Sequence, residues 1–170
     1  MFNKTKTLLV FLAVMPVLAA QAADLDSFTK IAKTTMNTVS SGNVGDIDKL
    51  IAMQEQLISI GKQAIKEHVS KDPNSAKMLN LVSDNADKMK QMTLPEIEAQ
   101  WHEKAFLKKN GINAALMEEK SITGSLMDTV VHPATAIIAL NEYKKTKNKK
   151  LLQQVHDELE EVIHHVERIK

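Results

Sequence analysis

The chain has 170 residues, 44% hydrophobic and 25% charged, with no cysteine, five glycines and four prolines, a balance that suits one small globular domain. The lack of cysteine excludes a disulfide scaffold, a thiol nucleophile, cysteine-ligated zinc or iron–sulfur centres and covalently attached c-type haem. A formal charge of +1 gives little pull toward nucleic acid or anionic lipid, and no G-x-G-x-x-G, Walker loop, G-x-S-x-G or H-E-x-x-H motif points to an enzyme.

The first segment reads as an address. Met1 to Lys6 carry two lysines, Thr7 to Ala19 form an almost unbroken apolar run, and Ala20-Gln21-Ala22 places small residues at the first and third positions. This is the pattern of a secretory signal peptide over residues 1–22, with cleavage expected before Ala23 and the periplasm as the destination. The apolar run is about 13 residues, short of the ~20 that span a hydrocarbon core, and no second long run follows, so no transmembrane segment is expected in the mature chain. With no cysteine after the cleavage site, a bacterial lipid anchor is not expected either. Loss of Lys4 and Lys6 takes 22 basic residues to 20 against 21 acidic ones, so the formal charge passes from +1 to −1.

From residue 23 to 170 the dominant periodicity is helical, and it predicts a single all-α domain, an antiparallel bundle of five or six helices. Leu25, Phe28, Ile31, Ala32 and Val39 suit a first helix ended by Gly42. A second runs from about Asp46, a natural N-cap, to Ser70, with Leu50, Leu57 and Ala64 in one column and Ile51, Ile58 and Ile65 in the next. Beside them lies a column of Ile47, Gln54, Gly61 and His68. Glycine inside a helix costs about 1 kcal/mol relative to alanine, so Gly61 reads as a close helix crossing, with Gln54 and His68 hydrogen-bonded in or near the core; the sharper reading is a small ligand cavity lined by those two side chains.

Asn74 to Met92 form a third predicted helix, with Met78, Val82, Ala86 and Met89 inward. Met89-x-x-Met92, with His102 beyond, offers soft ligands for copper or an axial pair for b-type haem, but methionine at helical spacing also simply fills cores. Thr93-Leu94-Pro95-Glu96 is a capping box opening a fourth helix that ends at Gly111. It carries the only tryptophan, Trp101, next to His102, with Glu98 four residues before the histidine and placed to orient it. Residues 112–131 are the least regular stretch, with a short helix near Asn113 to Glu119. Its Ser121 and Ser125, followed by Asp128 and His132, lack the nucleophile turn and oxyanion site that hydrolysis needs.

His132-Pro133 reads as the cap and first residue of a fifth helix to about Thr146, followed by a cluster of five lysines between 144 and 150 that suits helix termination and solvation. Leu152, Val155, Leu159, Val162, Val166 and Ile169 recur at 3-4-3-4-3 along the last helix, Asn148 to Arg168. This puts His164 opposite the core and His156 and His165 on its flanks. His156, Glu160 and His164 share a surface line that could offer zinc or copper two imidazoles and a carboxylate, or simply be a solvated charged face.

The reading that follows is a non-enzymatic periplasmic binding or interaction protein that needs no cofactor. It holds an unknown protein or small-molecule partner in a polar pocket near Trp101, His102 and His132, with Glu98 and Asp128 beside them. The other reading is a metal- or haem-binding bundle using His, Met and Glu ligands.

Overall fold

In the computed structural model, which describes residues 23–118 and 120–170, five long helices carry the fold: α1 (Leu25–Ser40), α2 (Ile47–Lys71), α3 (Ala76–Met89), α6 (Ile122–Thr146) and α7 (Lys150–Ile169). Two short pieces, α4 (Leu94–Ile97) and α5 (Ala105–Lys109), sit between α3 and α6, and there is no strand among the described residues. The export leader expected over residues 1–22 lies outside the described residues. None of the described helices is long and apolar enough to cross a membrane.

Local chemistry starts the helices where the sequence placed their caps. Asp46 accepts from Asp48 N–H ahead of α2, and Thr93 and Glu96 complete a capping box ahead of α4. Asp24 caps α1, and the backbone N–H of Ala23 donates to Glu67 Oε1 at 2.7 Å, tying the start of α1 to the end of α2. The lysine cluster closes α6: Lys147 takes the left-handed conformation (φ 58°) and Lys144 pairs with Asp48 at 2.6 Å.

Two predicted boundaries are corrected. The fourth helix is not continuous from Thr93 to Gly111: after α4 the chain widens into a π turn over Glu98–His102, closed by Glu103 N–H donating to the Glu98 carbonyl at 2.9 Å. Lys104 then reverses direction at φ 65° before α5 begins. Nor does a helix start at Pro133. α6 begins at Ile122, where the Ser121 hydroxyl accepts from Gly124 N–H at 2.8 Å, and runs through Pro133 to Thr146. His132 and Asp128 are therefore mid-helix residues, and His132 caps nothing.

α6 is the axis of the bundle. All its residues from Thr123 to Leu140 are buried, because α2, α3 and α7 pack around it while α1 covers α2 and α7. Leu126, Met127, Val130, Val131 and Ala134 join the apolar cluster with α3 and Trp101, and Ala136, Ala139 and Leu140 join the one with α1 and α7. A helix buried all round has no amphipathic period, which is why its first half reads as irregular in sequence.

Proline within a helix removes the amide that the carbonyl four residues earlier would accept. For Pro133 that carbonyl belongs to Thr129, and it faces Gly61 of α2: a Cβ on Gly61 would meet Thr129 Oγ1 at 2.6 Å and Thr129 O at 2.8 Å. The missing side chain lets α2 lie directly on the carbonyl, where Cα–H groups offer weak compensation. Gly61→Ala should therefore destabilise the protein by about 1–3 kcal/mol through overpacking, more than offsetting the ~1 kcal/mol gain in helix propensity. Thermal unfolding checks this; an unchanged or raised midpoint would show that the crossing has slack.

Candidate metal centre

Along α6, Ser125, Asp128, His132 and Thr135 recur at spacings of 3-4-3 and so form one polar line along the buried part of the helix. Along α7, Glu158, Glu161, His165 and Arg168 recur at the same spacings, beside the apolar stripe. The two helices are antiparallel neighbours, so the lines face each other with His132 toward Glu158 and Glu161, and Asp128 toward His165. His102 enters from the π turn, whose extra residue per turn aims the Trp101 ring into the core and the His102 ring at the α6–α7 seam.

At one end of this seam His132 Nδ1 is 2.7 Å from Glu158 Oε2, and His102 Nε2 is 3.7 Å from the same oxygen. The His102 and His132 rings meet edge to face with centroids 5.1 Å apart. His102 Nε2 also lies 2.9 Å from Thr135 Oγ1, whose own proton goes to the Val131 carbonyl at 3.0 Å, so His102 donates to that hydroxyl. Further along, His165 Nε2 is 3.3 Å from Asp128 Oδ2, and His165 Nδ1 is 3.3 Å from both Ser125 Oγ and an Arg168 nitrogen. The His132 and His165 rings stack at 5.6 Å, while Glu161, two-thirds exposed, reaches to 3.9 Å from His132 Nε2 at the solvent side.

Burial shapes the protonation of this cluster. Glu158 is pushed up to about 7, first by desolvation, with the His102 charge opposing the rise. His102 is held below the usual imidazole value, again first by desolvation; Glu158 opposes this and His132 adds to it. A neutral His102 can offer an unshared pair at Nε2 once its ring proton moves from Nε2 to Nδ1, and Glu158 is a carboxylate whose negative charge the interior resists unless a cation arrives.

His102, His132 and Glu158 thus offer three ligand atoms within 4.8 Å of one another, drawn from three separate chain segments. A tetrahedral zinc ion with bonds of about 2.0–2.1 Å sets its ligands about 3.3 Å apart. The observed 2.7 and 3.7 Å separations bracket that spacing, so the side chains fit a small divalent ion with minor adjustment.

The residues singled out from sequence divide clearly. His102 and His132 come together, and Asp128 lies one turn from His132 in the same seam. Trp101 is fully buried against Phe106, ring centroids 4.9 Å apart, so it is a core residue that lines no recognition surface. Glu98 is exposed on the widened turn; it acts on His102 only through its charge, and the carboxylate nearest that ring is Glu158. Gln54 and His68 do not share a cavity. Gln54 is buried and donates to Thr35 Oγ1 at 3.1 Å, whereas His68 sits near the end of α2, 3.6 Å from Asp72, beside a groove of about 220 Å³ next to Ala23 and Ile122.

Met89 is fully buried among apolar side chains, and Met92 packs against the same cluster. On the outer face of α7, His156 and Glu160 do bring ligand atoms together, but with Asp157; His164 stands apart, exposed and paired with Glu167.

Glu158, Glu161, His165 and Ser125 were not singled out as partners of His132 from sequence. The sign that would have found them is the matched 3-4-3 polar spacing on the two helices. His165, placed by the apolar stripe on a flank, is in fact buried. Compared with family models, characterised proteins and solved structures, the chain finds no match, so the chemistry of this seam is taken from its own atoms.

Proposed function

We propose that this protein binds a divalent first-row transition metal at His102, His132 and Glu158, without catalysing a reaction, and that the export leader makes it a metal-binding protein of the periplasm. What carries the reading is the convergence of two imidazoles and one carboxylate, mostly buried, from three segments of the chain. Imidazole with carboxylate suits Zn(II) and Cu(II), the strongest binders of their row at such sites, and the chain has no cysteine to supply the thiolate that favours Cu(I). Thr135 Oγ1 holds the same His102 Nε2 that faces Glu158, so an ion taken up there replaces this hydrogen bond, and the ring proton moves to Nδ1. The edge contact between the His102 and His132 rings leaves no room for a porphyrin between them, which favours a bare ion over haem.

The test is a calorimetric titration of tag-free, chelator-stripped protein with Zn(II). His102→Gln should weaken binding by at least about 100-fold, since even partners outside the ligand set cost about 10–100-fold. His156→Gln, on the outer face of α7, should leave the tight site intact. Equal affinity in His102→Gln and the unaltered protein, or loss confined to His156→Gln, would refute the assignment.

A further inference from the structure

The ligand set just described uses one edge of the His132 ring, and the same ring belongs to a second set. Asp128, His132 and His165, all three buried, also bring ligand atoms within 4.8 Å of one another. We infer that the seam holds two metal ions bridged by the His132 imidazole: Nδ1 faces the ion shared with His102 and Glu158, and Nε2 faces a second ion shared with Asp128 and His165. This inference rests on the metal-binding reading above and adds the second ion to it.

Several features fit. His132 Nδ1 is at 2.7 Å from Glu158, and Nε2 is turned to the Glu161 side of the ring at 3.9 Å, so the two nitrogens serve different neighbours. The 3.3 Å between His165 Nε2 and Asp128 Oδ2 matches the ~3.3 Å between two ligands of one tetrahedral ion. Arg168 donates to His165 Nδ1, which leaves the ring proton on Nε2 toward Asp128; ligation at Nε2 shifts that proton to Nδ1, where Ser125 Oγ can accept it and Arg168 must turn away.

Charge also balances. Bridging requires His132 to release its ring proton, and Glu158 the proton its burial retains, to solvent; the resulting imidazolate together with Asp128, Glu158 and the two-thirds-exposed Glu161 carries four negative charges against two divalent cations. A purely structural role would need only one of these acids beside each histidine. His132 instead has a carboxylate at each ring nitrogen, Glu158 at Nδ1 and Glu161 at Nε2.

Copper(II) is the probe, added to chelator-stripped protein carrying His156→Gln so that the outer-face cluster does not contribute. After desalting, metal analysis should find two equivalents per chain, falling to one in His165→Gln, in Asp128→Asn and in His102→Gln, and to none in His132→Gln. Helical circular dichroism identifies any variant that has failed to fold, and Asp128→Asn stands in if His165→Gln does so. Electron paramagnetic resonance reads the bridge: the signal from the first equivalent should weaken when the second is added, because spins joined through one imidazolate couple. One equivalent, unchanged by His165→Gln and Asp128→Asn, would overturn the second site and leave the first standing. Two equivalents with additive signals would overturn the bridge, and no retained copper would remove both readings together.

Discussion

Trp101→Ala should lower the free energy of unfolding by about 3–5 kcal/mol, as truncation of a large buried aromatic ring does. The indole has no exposed surface, and it packs on Phe106 within the apolar cluster that α3 and the first half of α6 share. Few neighbours can collapse into the space, because the π turn that carries the ring is pinned by the Glu103 to Glu98 hydrogen bond and by the reversal at Lys104. Trp101→Phe should cost much less. It keeps most of the packing and removes an indole Nε1–H that is buried with no hydrogen-bond partner among the described residues, a penalty of about 1–3 kcal/mol in itself. Denaturant unfolding of the two variants checks the pair; a Trp101→Phe loss as large as that of alanine would mean the N–H is satisfied. Because His102 is the next residue, Trp101→Ala should also loosen the metal site, whereas Trp101→Phe should spare it.

Glu158→Gln should make the metal-free protein more stable at neutral pH while removing its metal site, by at least about 100-fold in affinity. The folded-state value near 7 lies above the ordinary 4.5, so the native protein holds a proton that the unfolded chain releases. The stability this proton contributes is complete below about pH 4.5 and drains away as pH rises to about 7. Integrated over that window the loss is on the order of 3 kcal/mol; a buried glutamine keeps some cost of its own, so a net gain of about 1–3 kcal/mol is expected above pH 7.

His102 acts in the opposite sense in both proteins, since its depressed value makes stability fall as pH drops below the usual imidazole value. Unfolding in excess chelator at pH 4.5, 6 and 8 should therefore show the advantage of Glu158→Gln growing with pH. A constant or shrinking difference would place Glu158 in a better-solvated setting than its burial implies.

How far the fold could be read depends on how each helix is buried. α7 has one wet face and one dry, so its six-residue apolar stripe specified the element and its orientation directly. α6 has no wet face from Thr123 to Leu140, and Pro133 within it imitates a helix start; the Thr129 carbonyl that the proline leaves without its helical donor lies against Gly61, a residue 68 positions away. The break after α4 has no glycine to announce it, since Lys104 holds the left-handed conformation itself.

The site was legible by halves for the same reason. His102 and His132 could be nominated as neighbours from their places after a capping box and before a proline, although the elements assumed for them were different. Their acid partners could not be nominated one helix at a time. Glu158 and His165 look like ordinary flank residues on α7, and acquire meaning only when set against Asp128 and His132 at the register the helix pair adopts.

The most direct measurement is a ¹H–¹⁵N spectrum of the six imidazole rings in chelator-stripped protein, recorded before and after stoichiometric Zn(II). His102 and His132 ring nitrogens should move to metal-bound positions while those of His68, His156 and His164 stay in place. Unshifted His102 and His132 resonances, with any change confined to His156 or His164, would contradict a metal centre in the α6–α7 seam.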